Sequence, residues 1–337
     1  MSVEMLNAIA AGYTQWAARS GQRADASEAI TFARELLKVR SQLFEQRFEN
    51  LKATTLMSRE TETNETDEQF TYQTVSEYGT TTLGSAYGTN APRGDVSMVE
   101  ATPLMIKPIT ASYGYSFHEA RISARLGREL PMRKARAARR AVAEEIDRIL
   151  TYGDSVKYGV TLPGMLTQTT ESTPTDTGVR VHTLALGASG SNDWSTKTPD
   201  EILKDLNAIA FTIVTASRDR EHPNTMLLPL ALYDIVTTRR LGDGSDNTIL
   251  RHFLANSPYI KRVEPWQKLD AAPAAQWTGT RIMAYDNSAD VLQYILPVEW
   301  EQFAPQMQGF ETVVPAHART GGVVVYRPKA ICYADGA

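Results

Sequence analysis

The sequence predicts an α+β fold. Two long segments place apolar residues at helical spacing, several short apolar or alternating runs between turn residues look like strands, and no regular internal repeat orders them. One polar, β-prone stretch lacks the apolar bulk for a core of its own, so it is expected to protrude.

Taken from the N-terminus, residues 1–52 read as two helices joined by a polar hinge between Ser20 and Ala26. Asp25 and Glu28 have the spacing of a capping box, in which each side chain satisfies the other's orphan backbone N–H. Ile30, Ala33, Leu36, Leu37, Leu43, Phe44, Phe48 and Leu51 then make one apolar stripe. That stripe suits a helix docked on its own domain or an arm packed on a neighbouring chain.

From Arg59 to Asp95 the composition changes. Lysine is absent between Lys52 and Lys107, and Glu60, Glu62, Glu65, Asp67, Glu68, Glu77 and Asp95 outnumber Arg93. Phe70-Thr71-Tyr72-Gln73-Thr74-Val75 alternates as a strand does. Two readings stay open: a disordered linker, or a long hairpin stabilised by contact with something else.

Residues 96–118 are expected to be strand, with Pro103 and Pro108 confining the pairing to edges or breaks. The strongest helix runs from Pro131, suited to a first helical position, to Tyr152, with Gly153 as its cap. Met132, Ala135, Ala138, Val142, Ile146, Ile149 and Leu150 mark its expected buried side. Arg133, Lys134, Arg136, Arg139 and Arg140 crowd its first half, against the helix dipole. They form either a solvated face or a surface that meets acidic groups on another chain.

After a loop-rich region, Thr198-Pro199-Asp200-Glu201 opens a helix carrying Ile202, Leu206, Ile209 and Ile213. Met226–Leu228 reads as a buried strand, and residues 231–238 and 247–255 as short helices. Residues 281–285, 291–296, 322–326 and 331–333 read as strands.

The 337 residues carry 35 basic and 39 acidic side chains, a formal charge of -4, which excludes a polycationic nucleic-acid coat. The single cysteine, Cys332, excludes an internal disulfide framework or a multi-cysteine zinc site. No run of 18 apolar residues occurs, so no membrane-spanning helix is expected, and the composition fits a soluble, cytoplasmic chain.

The search for chemistry finds no catalytic, cofactor-binding or metal site. His118, His182, His222, His252 and His317 are scattered without metal-ligand spacing, and no phosphate-binding glycine motif occurs. Asp243, Ser245 and Asn247 imitate the start of a calcium loop, but Thr248 and Leu254 replace its glycine and its bidentate acid. A turn capping the next helix explains them. Cys332 reads as a buried, inert thiol.

The order of these parts, closing on Arg319-Thr320-Gly321-Gly322-Val323-Val324-Val325-Tyr326-Arg327-Pro328-Lys329-Ala330, resembles the major capsid proteins of tailed bacteriophages with the Hong Kong 97-type fold. The resemblance implies an N-terminal arm over 1–66 and an extension loop over 67–97. It implies a peripheral domain over 98–177 and 297–318, with a spine helix at 131–152, and an axial domain over 178–296 and 319–337. It further implies a structural protein of the virion, assembled in the host cytoplasm into hexamers and pentamers that enclose double-stranded DNA without sequence specificity. Scaffold, portal and decoration proteins are its implied partners, and no cofactor is needed. Intersubunit contacts are expected at Phe70, Tyr72, Glu77, Tyr78, Tyr87, Arg93, Arg133, Arg136 and Arg140. Some relatives cross-link through a loop lysine; this loop has none, so no such covalent mesh is expected. An encapsulin-like compartment shell is the neighbouring alternative. A hydrolase pairing Asp or Glu with His118 or His182 is a more distant one.

Overall fold

A six-stranded sheet with core on both faces organises the molecule. The computed structural model describes residues 49–79, 81, 93–126, 130–154, 161–171, 178–242, 246–270, 277 and 279–337. The two helices expected within 1–52 lie outside these residues except at their very end, and Asp243, Ser245 and Tyr87 lie outside them entirely. Residues 51–337 form a single compact unit.

The elements of that unit begin with α1 (Ala53–Leu56), β1 (Ser58–Arg59), β2 (Gln69–Phe70), β3 (Gln73–Tyr78), β4 (Asp95–Glu100), β5 (Leu104–Met105) and β6 (Lys107–Ser116). Next come α2 (Phe117–Leu126), α3 (Leu130–Tyr152), β7 (Thr170–Glu171), β8 (Val179–His182) and α4 (Pro199–Ser217). Then follow β9 (Thr225–Leu228), α5 (Leu230–Thr238), α6 (Ile249–Asn256), β10 (Arg262–Pro265) and β11 (Arg281–Tyr285). The chain closes with β12 (Leu292–Ile295), β13 (Val298–Gln302), β14 (Gln306–Gln308), β15 (Glu311–Thr320), β16 (Gly322–Val325) and β17 (Ile331–Asp335).

The six-stranded sheet has the order β10-β9-β11-β17-β8-β7. Its central strands carry the apolar runs Met226–Leu228, Ile282–Tyr285 and Ile331–Ala334 because both faces are covered. Leu227, Met283, Tyr285, Ile331 and Tyr333 point into a core shared with Val142, Ile146, Ile149 and Leu150 of α3. Their neighbours Met226, Leu228, Ile282, Ala284, Cys332 and Ala334 point into a second core with α4, α5 and α6. The expected strands 281–285 and 291–296 both form, but β12 joins a separate three-stranded sheet with β1 and β16.

A third sheet is a ribbon in which β6 and β15 pair over ten residues, with β13 and β14 along the far side of β15. β6 is therefore an edge strand, which explains how Pro108 sits within it opposite Arg319.

Two expectations need correction here. Residues 96–118 are not strand to the end: Phe117 opens α2. Ser116 and Glu119 form a capping box, Ser116 Oγ accepting the Glu119 N–H at 3.1 Å and Glu119 Oε2 accepting the Ser116 N–H at 3.0 Å. Met132 is not on a buried face either. It is 54% exposed because the first turn of α3 outruns the core, and burial begins in earnest at Val142.

Helix ends follow local chemistry. Gly153 closes α3 with φ +70°, its N–H donating to Ile149 O at 2.7 Å. Thr198 and Glu201 form the capping box of α4, and Thr248 caps α6. Beside α4 a fully buried ion pair, Lys197–Asp205 at 2.6 Å, also takes the Trp194 indole N–H at 3.0 Å.

Candidate intersubunit interface

The segment between Glu60 and Leu104 carries six of the residues expected to meet other copies: Phe70, Tyr72, Glu77, Tyr78, Tyr87 and Arg93. β3 and β4 pair antiparallel from Gln73↔Glu100 to Tyr78↔Asp95, so the hairpin reading holds for the described residues. Alternation puts Val75, Val96 and Met98 on one face with Glu77, and Val99 and Tyr78 on the other. None of these residues is buried: Val75, Val96 and Met98 are 53%, 52% and 69% exposed. Neither strand packs extensively on any other helix or strand of the described residues. A two-stranded hairpin without a core is marginal by itself in water.

Its root, in contrast, is fixed. Phe70, Tyr72, Leu104 and Tyr326 pack on the buried Ile106, Ile295 and Val324. The Tyr72 hydroxyl donates to Val325 O at 3.0 Å, its ring meets Tyr326 edge-on at 4.9 Å, and burial pushes its pKa upward. Arg319 donates both ends of its guanidinium to the carbonyls of Glu65 and Asp67. The hairpin thus leaves the body from a clamped base.

The other expected contact residues fall in two places. Glu77 and Tyr78 lie exposed on β3, the Tyr78 hydroxyl donating to Asp95 Oδ2 at 3.2 Å, and Arg93 is exposed just before β4. Arg133, Arg136 and Arg140 share one face of α3, at i, i+3 and i+7. Arg140 is tied to Glu144 at 2.7 Å within its own helix. Lys134, from the same basic run, turns inward to Gly114 O and Glu119. The Glu119 carboxyl is held below its usual range by the Ser116 N–H first and Lys134 second.

The residues singled out in the sequence do not include the exposed apolar ones of the hairpin, Val75, Val96 and Met98 on one face and Val99 on the other. Nor do they include Met307 and Phe310 at the β14–β15 turn, 79% and 89% exposed. The signal available was the apolar Val96, Met98 and Val99 within four residues of a stretch otherwise poor in apolar bulk.

Among the described residues no group of three metal-ligating side chains forms. Three of the five histidines make ring or hydrogen-bond contacts within the fold. His182 Nδ1 lies 2.9 Å from Thr212 Oγ1 and desolvation lowers its pKa, His222 stacks on Tyr259, and His317 stacks on Phe303. Cys332 is fully buried, with its thiol pushed up to about 12 by desolvation.

Comparison with known proteins settles the family. The model of the major capsid protein family matches residues 85–337. The chain belongs to that family. It is a capsid shell protein and a component of the virion, and the family is a structural one. The capsid of Myoviridae phage XM1 is similar with a TM-score of 0.74 at 18% identity, over 90% of this chain and 98% of that one. The capsid of the native GTA particle gives 0.60 at 12%, over 90% and 96%. Mycobacterium phage Ogopogo gives 0.58 at 13%, over 91% and 99%. At such identities these likenesses speak for the fold, a mixed helix-and-strand capsid subunit. No curated protein matches.

Proposed function

We propose that many copies of this chain assemble through hexamers and pentamers into an icosahedral shell around double-stranded DNA. The hairpin β3–β4 of each copy would lie across its neighbour. The observation that carries this reading is a hairpin with exposed apolar residues on both faces and a clamped root. An element so built gains its burial from another molecule. Glu77, Asp95 and Glu100 on the hairpin complement Arg133 and Arg136 on the long helix of the next copy, which sets register more than affinity. Contacts of this heterologous kind close into rings by rotation.

In this reading 1–66 is the arm and 67–97 the extension loop. Residues 98–177 and 297–318 are the peripheral domain, and 178–296 and 319–337 the axial domain. The net charge of -4 suits a wall that encloses DNA without holding its phosphates. Scaffold, portal and decoration proteins are the further partners, assembly takes place in the host cytoplasm, and the shell performs no catalysis.

The test is light scattering with negative-stain microscopy on the purified chain and on a chain lacking residues 70–95. The full chain should give rings or uniform shells. The deletion should melt cooperatively yet remain unassembled, and normal shells from it would refute the role given to the hairpin. Shells recovered from cells should carry DNA; a cargo protein in its place would point to a compartment shell.

A further inference from the structure

A buried acid interrupts the apolar stripe of α3. Asp147 is 1% exposed, among Val142, Ile146, Ile149 and Leu150. Helical spacing gives that face to apolar residues, and an apolar side chain of similar volume commonly packs there at no loss of stability. A carboxylate at such a place is costly unless it is fully partnered.

Asp147 is fully partnered, and by two different parts of the chain. Its Oδ1 accepts the backbone N–H of Ala53 at 2.9 Å. Its Oδ2 takes the ammonium of Lys268, whose side chain is 14% exposed. Lys268 is held by α3 a second time, because the Tyr152 hydroxyl donates to its carbonyl at 2.8 Å. The three-residue turn Gln267–Leu269 is therefore fixed to the helix, and Ala53 is fixed to both.

Ala53 begins a segment bound along its whole length. Lys52 Nζ donates to Pro265 O at 3.0 Å, and the buried Tyr285 hydroxyl donates to Leu56 O at 2.8 Å. Ser58 and Arg59 pair with Gln293 and Tyr294 of β12, and the Glu60 N–H donates to Tyr294 O at 3.0 Å. Ala53, Leu56 and Met57 are buried. The hairpin root follows within ten residues. Chain entering the unit and chain leaving for the hairpin thus share one stitched joint, and Asp147 holds its first residue.

We propose that Asp147 is a positioning residue for assembly: its bond to the Ala53 N–H closes the joint and so fixes the root from which the intersubunit hairpin departs. This rests on the capsid reading above. The partner it serves is a second copy of the chain, since a hairpin must leave each subunit at the same place for identical contacts to close a ring.

Two double variants isolate that bond. D147N/K268M removes both charges and keeps a carbonyl oxygen for Ala53. D147L/K268M removes the charges and the acceptor together. Both should melt cooperatively. Trypsin cleavage after Lys52 and Arg59 reports opening of the joint, because cleavage of a transiently opened segment follows its population. D147L/K268M should be cut about tenfold faster than D147N/K268M, the factor expected for one lost hydrogen bond, and should give irregular shells where D147N/K268M gives uniform ones. Equal cleavage or equally uniform shells from the two variants would overturn the proposal. Failure of the unmodified chain to form any shell would count against the capsid reading, while the cleavage contrast would still test the joint.

Discussion

Replacing Val75, Val96 and Met98 together by threonine should leave the subunit folded and abolish its assembly at working concentrations. Threonine keeps the β-branched shape that suits a strand, so the hairpin itself is not penalised. With 53%, 52% and 69% of these side chains exposed, each buries less than half its surface in the single subunit. Full burial of a Val or Met side chain stabilises by roughly 1.5–3 kcal/mol. The exposed half therefore contributes about 1 kcal/mol per residue at an interface, or about 3 kcal/mol for the three. That corresponds to more than a hundredfold in the association constant of one contact, and a closed ring multiplies the loss. Sedimentation velocity across a concentration series measures the assembly threshold, and thermal unfolding of the dissociated subunit measures its stability. The threshold should rise at least a hundredfold while the melting temperature of the subunit stays within a degree or two. A subunit that unfolds, or an unchanged threshold, would refute the argument that this face waits for a neighbour.

Other parts of the structure give equally direct expectations. Gly153→Ala should destabilise by about 2–4 kcal/mol, from the left-handed backbone and overpacking together, because a Cβ there would stand 2.3 Å from Leu162 O and 2.8 Å from Gly164 N. Urea midpoints measure it, and a loss under about 1 kcal/mol would contradict the close approach. Lys197→Met should cost about 3–5 kcal/mol by stranding Asp205 in the core, and adding Asp205→Leu should recover much of that loss. A double variant no more stable than the single one would show that the pair is more than mutual neutralisation. Burial raises the pKa of Tyr285 and Tyr333, and takes Tyr326 from its ordinary 10.0 and Cys332 from 9.0 to about 12. Groups so raised contribute fully below their unfolded values, so stability should fall as pH climbs from about 9 towards 12. Urea titrations at stepped pH test this, and a flat profile would refute it. Cys332 should resist thiol reagents until the chain unfolds.

Local signals carried far along this sequence. The capping residues and helical stripe of α4, the long helix ending at Gly153, and the apolar run Ile282–Tyr285 of β11 are all legible, because each depends on neighbours within a few residues. The Ser116–Glu119 capping box is equally local, but it follows an aromatic strand whose alternation runs into it. The acidic, lysine-free stretch contains the β3–β4 hairpin, and the closing run from Arg319 to Ala330 resembles the family whose model matches the chain.

What sequence could not supply was which apolar faces find cover. Met132 obeys the same helical period as Val142, yet only the second reaches the core. Val75 and Met98 look no different from core strand residues, and only the pairing of β3 with β4 alone leaves them exposed. Asp147 reads as one more charge on a mixed helix until Ala53 and Lys268, 94 and 121 residues away along the chain, are brought to its two oxygens. Periodicity is written in neighbouring residues, whereas burial and partnership are settled by segments that meet only when the chain has folded.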